Sequence, residues 1–256
     1  MEYMEDGKKM NKLNVLYEDN HVIVVVKPYN MLSQKDSTND LSIMEYIKDY
    51  LKEKYQKPGN VYLGLVHRLD RPVGGIMVFA KTSKAASRLT KDFQEHKITK
   101  KYLAIVSGKV AEKGHFEDKI AKDEKGNAFI SEEGKQAILD YELIEYSAKD
   151  DCSLVSISLK TGRHHQIRVQ FASRGHALIG DQRYGKDDKK QICLFSYYLS
   201  FYHPTTKELL KFTYFPNNEG DWKKFSKKNI IWLIKCLQLQ TFFVIIIIDI
   251  KNRGSR

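Results

Sequence analysis

His67-Arg68-Leu69-Asp70-Arg71-Pro72 closes the apolar run Val61-Tyr62-Leu63-Gly64-Leu65-Val66 and opens, across Gly74-Gly75, onto a second one, Ile76-Met77-Val78-Phe79-Ala80. Two short apolar runs joined by a polar corner read as two strands with a loop between them, and the paired glycines read as a break before the second strand. The loop carries one carboxylate between two arginines. Nearby positive charge favours the ionised form of a carboxyl group, and an ionised, oriented aspartate is a competent nucleophile or base near neutral pH. An Arg-x-Asp at a strand end is also the usual form of a structural ion pair, so Asp70 alone names no function.

Upstream, residues 15–17 and 22–26 read as strands around a turn, and Lys27-Pro28 ends the second because proline cannot donate to a ladder. Residues 42–55 read as an amphipathic helix. Ser42 and Glu45 form a capping-box pair, and Ile43, Tyr46, Ile47, Tyr50 and Leu51 recur at helical spacing. Downstream, a helix is expected over 83–94, capped by Thr82 or Ser83, then strands over 101–106, 137–144 and 154–159. A short helix follows over 166–173, with Gly175 as its left-handed terminator. A closing pair of strands is expected at 192–201 and 208–214 around His203-Pro204. Strands outnumber helices and do not alternate with them regularly, which indicates an α+β domain rather than a doubly wound sheet. Residues 1–13 are polar and are expected to fray.

The 256 residues carry a net charge of +11. A basic balance suits a polyanionic partner, but +6 of that charge falls on residues 221–256, so the body is only moderately basic. The three cysteines, Cys152, Cys193 and Cys236, are scattered and odd in number, and no His/Cys cluster has zinc spacing. A reducing cytoplasm is therefore expected, and the polar first twelve residues do not read as a signal peptide. Residues 230–248 are strongly apolar, yet Lys235, Gln238 and Gln240 interrupt them, which weakens a membrane-spanning reading. No membrane association is expected.

Three further segments carry chemistry. Leu159-Lys160-Thr161-Gly162-Arg163-His164-His165-Gln166-Ile167-Arg168 reads strand, glycine turn, helix, with basic and polar side chains gathered where the helix begins. Free amides at such a point attract anions, and His164 and Arg168, four apart, are expected on one helix face. Lys100-Lys101-Tyr102 sets an aromatic beside cations, a combination suited to base stacking with phosphate contact. Gly180-Asp181-Gln182-Arg183-Tyr184-Gly185 reads on its own as a turn.

The order and wording of these pieces resemble the RluA-type pseudouridine synthase family. The resemblance runs through the Lys27-Pro28 turn, HRLDRPVGGIMVFAKTSKAA (67–86), KKYLAIVSG (100–108), LKTGRHHQIRVQF (159–171), GDQRYG (180–185), LSFYHP (199–204) and Phe215-Pro216, so it covers about residues 14–216. It implies a mixed, mainly antiparallel sheet flanked by helices, with a central active cleft and a catalytic domain over 14–220. It implies isomerisation of uridines in structured RNA, ribosomal RNA ahead of transfer RNA, with no metal and no organic cofactor. Asp70 would be the catalytic carboxylate. Tyr102 would stack on the target base and Arg168 would pair with Asp70. Arg68 would help displace the target nucleotide. His67, Arg68, Lys101, Arg163, His165 and Gln166 make up the expected substrate-binding set. A monomer is expected. The sequence departs from the family form at His164, where threonine is common. Too few residues precede Val15 for the small RNA-binding domain that many relatives carry, and the isoleucine-rich tail has no counterpart.

Three other readings compete. A non-catalytic RNA-binding module would predict loss of the aspartate. A hydrolase with paired carboxylates would need Asp181 as the second acid. A membrane-tethered protein would rest on 230–248 alone.

Overall fold

Both long helices start where local chemistry dictates. In the computed structural model, which describes residues 4–5, 8–9, 13–38, 40–186, 189–225 and 245–246, α1 spans Ile43–Lys54 and α2 spans Ser83–Gln94. Ser42 Oγ accepts the Glu45 N–H and the Glu45 carboxylate accepts the Ser42 N–H, so two otherwise unpaired donors are satisfied reciprocally. Thr82 caps α2 by accepting the Ala85 N–H. The third helix, α3 (Gln166–Ala172), is short, and Gly175 follows it at φ 80° as the expected terminator.

The strands are β1 (Met4–Glu5), β2 (Lys8–Lys9), β3 (Asn14–Glu18), β4 (Val22–Lys27), β5 (Gly64–Leu65), β6 (Gly74–Ala80), β7 (Thr99–Ser107), β8 (Lys113–Lys122), β9 (Ala128–Ile130), β10 (Lys135–Ser147), β11 (Cys152–Leu159), β12 (Leu194–Tyr202), β13 (Leu209–Thr213) and β14 (Ile245–Ile246). Strands β1 and β2 pair with each other. The rest form one sheet in the order β3-β4-β6-β12-β7-β11-β10-β8-β9, with β5 on β6, β13 on β12 and β14 on β13. Its pairings are antiparallel except β6 with β12 and β13 with β14. The α+β class and the mainly antiparallel sheet agree with the sequence reading.

The pleat sorts the core. In β4, Ile23 and Val25 face α1, packing with Ile43, Ile47, Met77 and Phe79, while Val22 and Val24 face α2 with Leu89, Ile76 and Val78. Both faces are covered, which is why β4 and β6 read as unbroken apolar runs. In β7, Tyr102 and Ala104 lie on the α1 side, and Leu103 and Ile105 pack on the other with Leu154, Phe195, Tyr197 and Trp222.

Four expectations need correction. Gly74 and Gly75 begin β6 instead of breaking the chain, because β12 comes so close there that larger residues would not fit. A Cβ on Gly75 (φ 128°) would collide with the Ser196 backbone, and one on Gly74 would sit 3.0 Å from the Phe195 ring. The run at 61–66 yields only the two-residue β5. The β8–β9 hairpin was not anticipated, since only Phe116, Ile120 and Ala128 in it are buried and the alternation is hidden among charges. Residues 4–5 and 8–9, expected to fray, pair as strands. The apolar 230–248 segment lies outside the described residues apart from 245–246. Among the described residues, no helix is long and apolar enough to cross a membrane.

Gly75→Ala is expected to destabilise the fold by about 3 kcal/mol or more, from positive-φ strain plus overpacking against Ser196. Denaturant unfolding of the variant beside the wild type measures it, and a midpoint unchanged within error would refute the close-approach argument.

Candidate active site

Asp70 sits in the loop between β5 and β6, and the loop is fixed through its own backbone. Lys27, fully buried at the end of β4, donates from Nζ to the carbonyls of Arg71 (3.1 Å), Pro28 (3.0 Å) and Met31 (2.7 Å). Those three acceptors match the three hydrogens of an ammonium group. Burial nevertheless pulls the Lys27 pKa down to about 7, against the upward pull of Asp70. Ser33 Oγ brackets Leu69, donating to its carbonyl at 2.7 Å and accepting its N–H at 3.1 Å. Gln191 Nε2 donates to the Pro72 carbonyl at 2.7 Å, and the Val73 N–H closes a turn onto the Asp70 carbonyl. With the main chain so held, the Asp70 side chain stays partly open to solvent, 26% exposed.

The opposite wall is α3. Its Arg168 side chain is only 7% exposed and Nη1 reaches Asp70 Oδ2 at 3.3 Å. The stronger hold on Arg168 comes from Asp181, fully buried, which takes Nε at 2.8 Å and Nη2 at 2.7 Å. Bidentate geometry of this kind orients a guanidinium as well as neutralising it. Asp181 also accepts the N–H groups of Arg183 and Tyr184, and the Arg168 guanidinium lies 5.2 Å from the centre of the Tyr184 ring. The pairing with Arg168 lowers the Asp181 pKa against the effect of burial. Asp181 is thus committed to Arg168 and unsuited to be the second acid of a hydrolase.

His165 completes the ring around Asp70. Its Nε2 is 3.5 Å from Asp70 Oδ2, and its Nδ1 is 2.8 Å from Tyr184 Oη, which itself accepts the Ala128 N–H. Burial lowers the His165 pKa to about 4 although Asp70 pulls it upward, so the imidazole is neutral at pH 7. His165 has φ 52°, a left-handed conformation, and α3 starts only at Gln166. His164 is therefore off the helix, in place of the shared face with Arg168 that its spacing suggested, and its ring stacks on His165 with centroids 3.7 Å apart. Asp70, His164 and His165 offer potential ligand atoms within 4.8 Å of one another, the third donor lying far outside the spacing a sequence motif displays.

Tyr102 is 7% exposed and opposite Ser196 of β12. Burial first, and then the Asp70 charge, push its phenol pKa up, so it stays protonated. The remaining expected residues divide. Arg68 is exposed at the loop. His67 accepts the Val78 N–H at Nε2 and stacks on Phe93, with its pKa depressed to about 3 by burial, which is a packing position. Gln166 is spent on the turn, bonded to Thr161, the Arg163 N–H and the Ile138 carbonyl. Arg163 is anchored through Nε to the Gln136 carbonyl. Lys101 stands over the Tyr198 ring. By the pleat, Lys100 is the lysine that shares the face of Tyr102, and burial lowers its pKa.

The comparisons with known proteins point to one family. Residues 21–173 match the model of the family described as RNA pseudouridylate synthase. The chain belongs to that family. The ribosomal large subunit pseudouridine synthase D of Zymomonas mobilis is 32% identical over 217 residues, covering 78% of this chain and 68% of that protein. The tRNA pseudouridine synthase C of Haemophilus ducreyi is 32% identical over 220 residues, covering 76% and 87%. The solved structure of human RNA pseudouridylate synthase domain containing 1 superposes with a TM-score of 0.68 at 24% identity, covering 91% of this chain and 98% of that one, and so supports the fold. The protein is a pseudouridine synthase of the RluA type, as its motifs imply.

The geometry brings to the candidate site five residues outside the expected catalytic and substrate-binding set: Lys27, Ser33, Asp181, Tyr184 and Gln191. A usable signal existed for three of them. Lys27, Asp181 and Tyr184 lie in segments that belonged to the family resemblance.

An unfolded histidine takes a proton near pH 6.5, whereas His165 in the fold does so at about 4. Between these values the unfolded chain binds more protons, so this contribution to stability is whole above about pH 6.5 and is lost as pH falls towards 4. Thermal melts across that range should show the acid loss in the wild type and a shallower one in His165→Asn, asparagine being at ease at positive φ. Identical slopes would remove His165 from the account.

Proposed function

We propose that this synthase isomerises uridine to pseudouridine in structured RNA with Asp70 as its catalytic carboxylate, and that residues 14–220 are the catalytic domain. The observation that carries this reading is the contrast between the two carboxylates. Asp181 is buried and consumed by Arg168, while Asp70, on the other side of the same guanidinium, keeps its outer face open. An anchored but accessible carboxylate is what the reaction needs. The bond from uracil N1 to C1′ of the sugar breaks, the base turns, C5 bonds to C1′, and the proton on C5 leaves while N1 gains one. Asp70 either attacks C1′ or takes the proton from C2′ to assist departure of the base, and both routes use the same oxygen atoms.

The target base must leave its stack to reach the carboxylate, at a cost of a few kcal/mol. Tyr102 forms the wall beside the seat proposed for it, and the protonated phenol suits stacking and proton donation rather than base catalysis. Arg68, exposed at the loop, is the side chain proposed to fill the space the base vacates. Relatives are named for ribosomal and for transfer RNA, and ribosomal RNA is the substrate proposed first.

Tritium release from RNA labelled at uracil C5 tests the proposal. Asp70→Ala is expected to abolish release while RNA binding, read by filter retention, stays within a few-fold of wild type. Full release by this variant would sink the mechanism. Arg168→Ala is expected to reduce release and also to lower stability by about 3–5 kcal/mol, since Asp181 is left as a buried, unpaired charge. An unchanged thermal midpoint would refute the buried-pair account.

A further inference from the structure

The ring around Asp70 holds more than the isomerisation uses. His164 takes no part in anchoring Asp70 or Arg168, yet the left-handed turn at His165 brings its imidazole onto the Asp70 side of the loop, stacked on His165 with an interplanar angle of 23°. Asp70, His164 and His165 each offer a ligand atom, and the three lie within 4.8 Å of one another. His165 Nε2 and Asp70 Oδ2 are 3.5 Å apart. Two ligands on one tetrahedral zinc ion, with bonds of about 2.0–2.1 Å, are separated by about 3.4 Å. One edge of the coordination polyhedron is thus already at its working length.

The outer partners fit the same chemistry. Imidazoles that bind metals are typically held through their second nitrogen by a carbonyl, a carboxylate or another polar group. His164 Nε2 is 3.2 Å from the Gly126 carbonyl, so that nitrogen carries the hydrogen and Nδ1 keeps its lone pair. His165 Nδ1 lies 2.8 Å from the Tyr184 hydroxyl oxygen; in the tautomer that donates its Nδ1 hydrogen there, Nε2 turns a lone pair towards Asp70. Two imidazoles and a carboxylate, with a fourth position open to water, are the donors of a borderline divalent ion. Magnesium, which demands oxygen ligands in octahedral array, is a poor match.

We propose that zinc(II), or a divalent ion of the same class, binds Asp70, His164 and His165 and thereby switches the synthase off. The ion occupies the carboxylate oxygens that the isomerisation requires, so metal and target uridine exclude one another. Two features make the hold reversible. The stacked rings must fan apart for both lone pairs to meet one ion, His164 being the less confined ring. The Arg168 guanidinium, 3.3 Å from Asp70 Oδ2, also opposes a second positive charge. The inhibitory half of the proposal rests on Asp70 being the catalytic carboxylate.

The test uses the full chain after EDTA treatment and buffer exchange. Zinc binding is titrated against a chromophoric chelator, and cobalt(II) serves as a visible-absorbance probe of coordination. His164→Phe retains a ring for the stack without nitrogen donors, and His164→Gln is run beside it in case the phenyl group disturbs the loop. Binding of one zinc equivalent, at least about tenfold weaker in both variants, is expected, with a cobalt visible band seen only in the wild type. Tritium release should be lost in micromolar zinc, restored by EDTA, indifferent to millimolar magnesium, and retained by the His164 variants at the same zinc concentration. Equal zinc affinity in wild type and both variants would overturn the site. Binding that depends on His164 but leaves release intact would overturn the switch. Full release by metal-free Asp70→Ala would instead overturn the catalytic reading, whatever the zinc titration gives.

Discussion

A buried guanidinium is the constraint around which the site is organised. Removing Arg168 from water costs several kcal/mol unless its hydrogens find partners of opposite charge. Asp181 meets that requirement with two short hydrogen bonds, and the N–H groups of Arg183 and Tyr184 steady the carboxylate in turn. One guanidinium nitrogen, Nη1, remains to face Asp70. The catalytic candidate is therefore oriented at second hand, by a cation whose own direction is set from behind. The loop of residues 180–185 wraps Arg168 and contributes the Tyr184 hydroxyl to His165, so charge neutralisation and the fixing of the imidazole come from the same few residues.

The other half of the constraint is main-chain. A loop outside the ladder has backbone groups that neither sheet nor solvent fully satisfies. Lys27, Ser33 and Gln191 take up carbonyls of Leu69, Arg71 and Pro72. These bonds hold the loop by its main chain and leave the Asp70 side chain partly open to solvent. Of these three residues only Lys27 stood out in the sequence, and then merely as the end of a strand. Its three carbonyl contacts show why a lysine, with its long stem and three donors, is the residue that reaches the place.

What could be read in advance was whatever is encoded locally. The capping box at Ser42 and Glu45 announced α1, and the apolar runs of β4 and β6 announced strands covered on both faces. What escaped depended on distant partners. Gly74-Gly75 looked like a break because a sequence does not display β12 approaching from 120 residues away. Strand β8 was hidden because only two of its ten residues are buried. Asp181 looked like a turn residue, and it is one, but both its carboxylate oxygens also accept from Arg168 of α3. Asp70 and Arg168, which the motif resemblance singled out, face one another in the fold. Lys101 was chosen where the pleat puts Lys100 beside Tyr102, and Gln166 and His67 were taken for binding groups although the fold uses their polar atoms itself.

The span between the partners bears on how the chain comes to life. Arg168 and Asp70 are 98 residues apart, and Asp181 comes 13 residues after Arg168. During synthesis the aspartate loop emerges long before the residues that orient it. Contacts of such sequence separation form late, since loop closure must precede them. Until Asp181 has left the ribosome, a nascent chain carries Asp70 with no oriented Arg168 to face it, next to the ribosomal RNA of the machine that is making it. The order of the motifs along the chain thus acts as a timer, keeping an RNA-modifying centre unassembled until most of the fold is out.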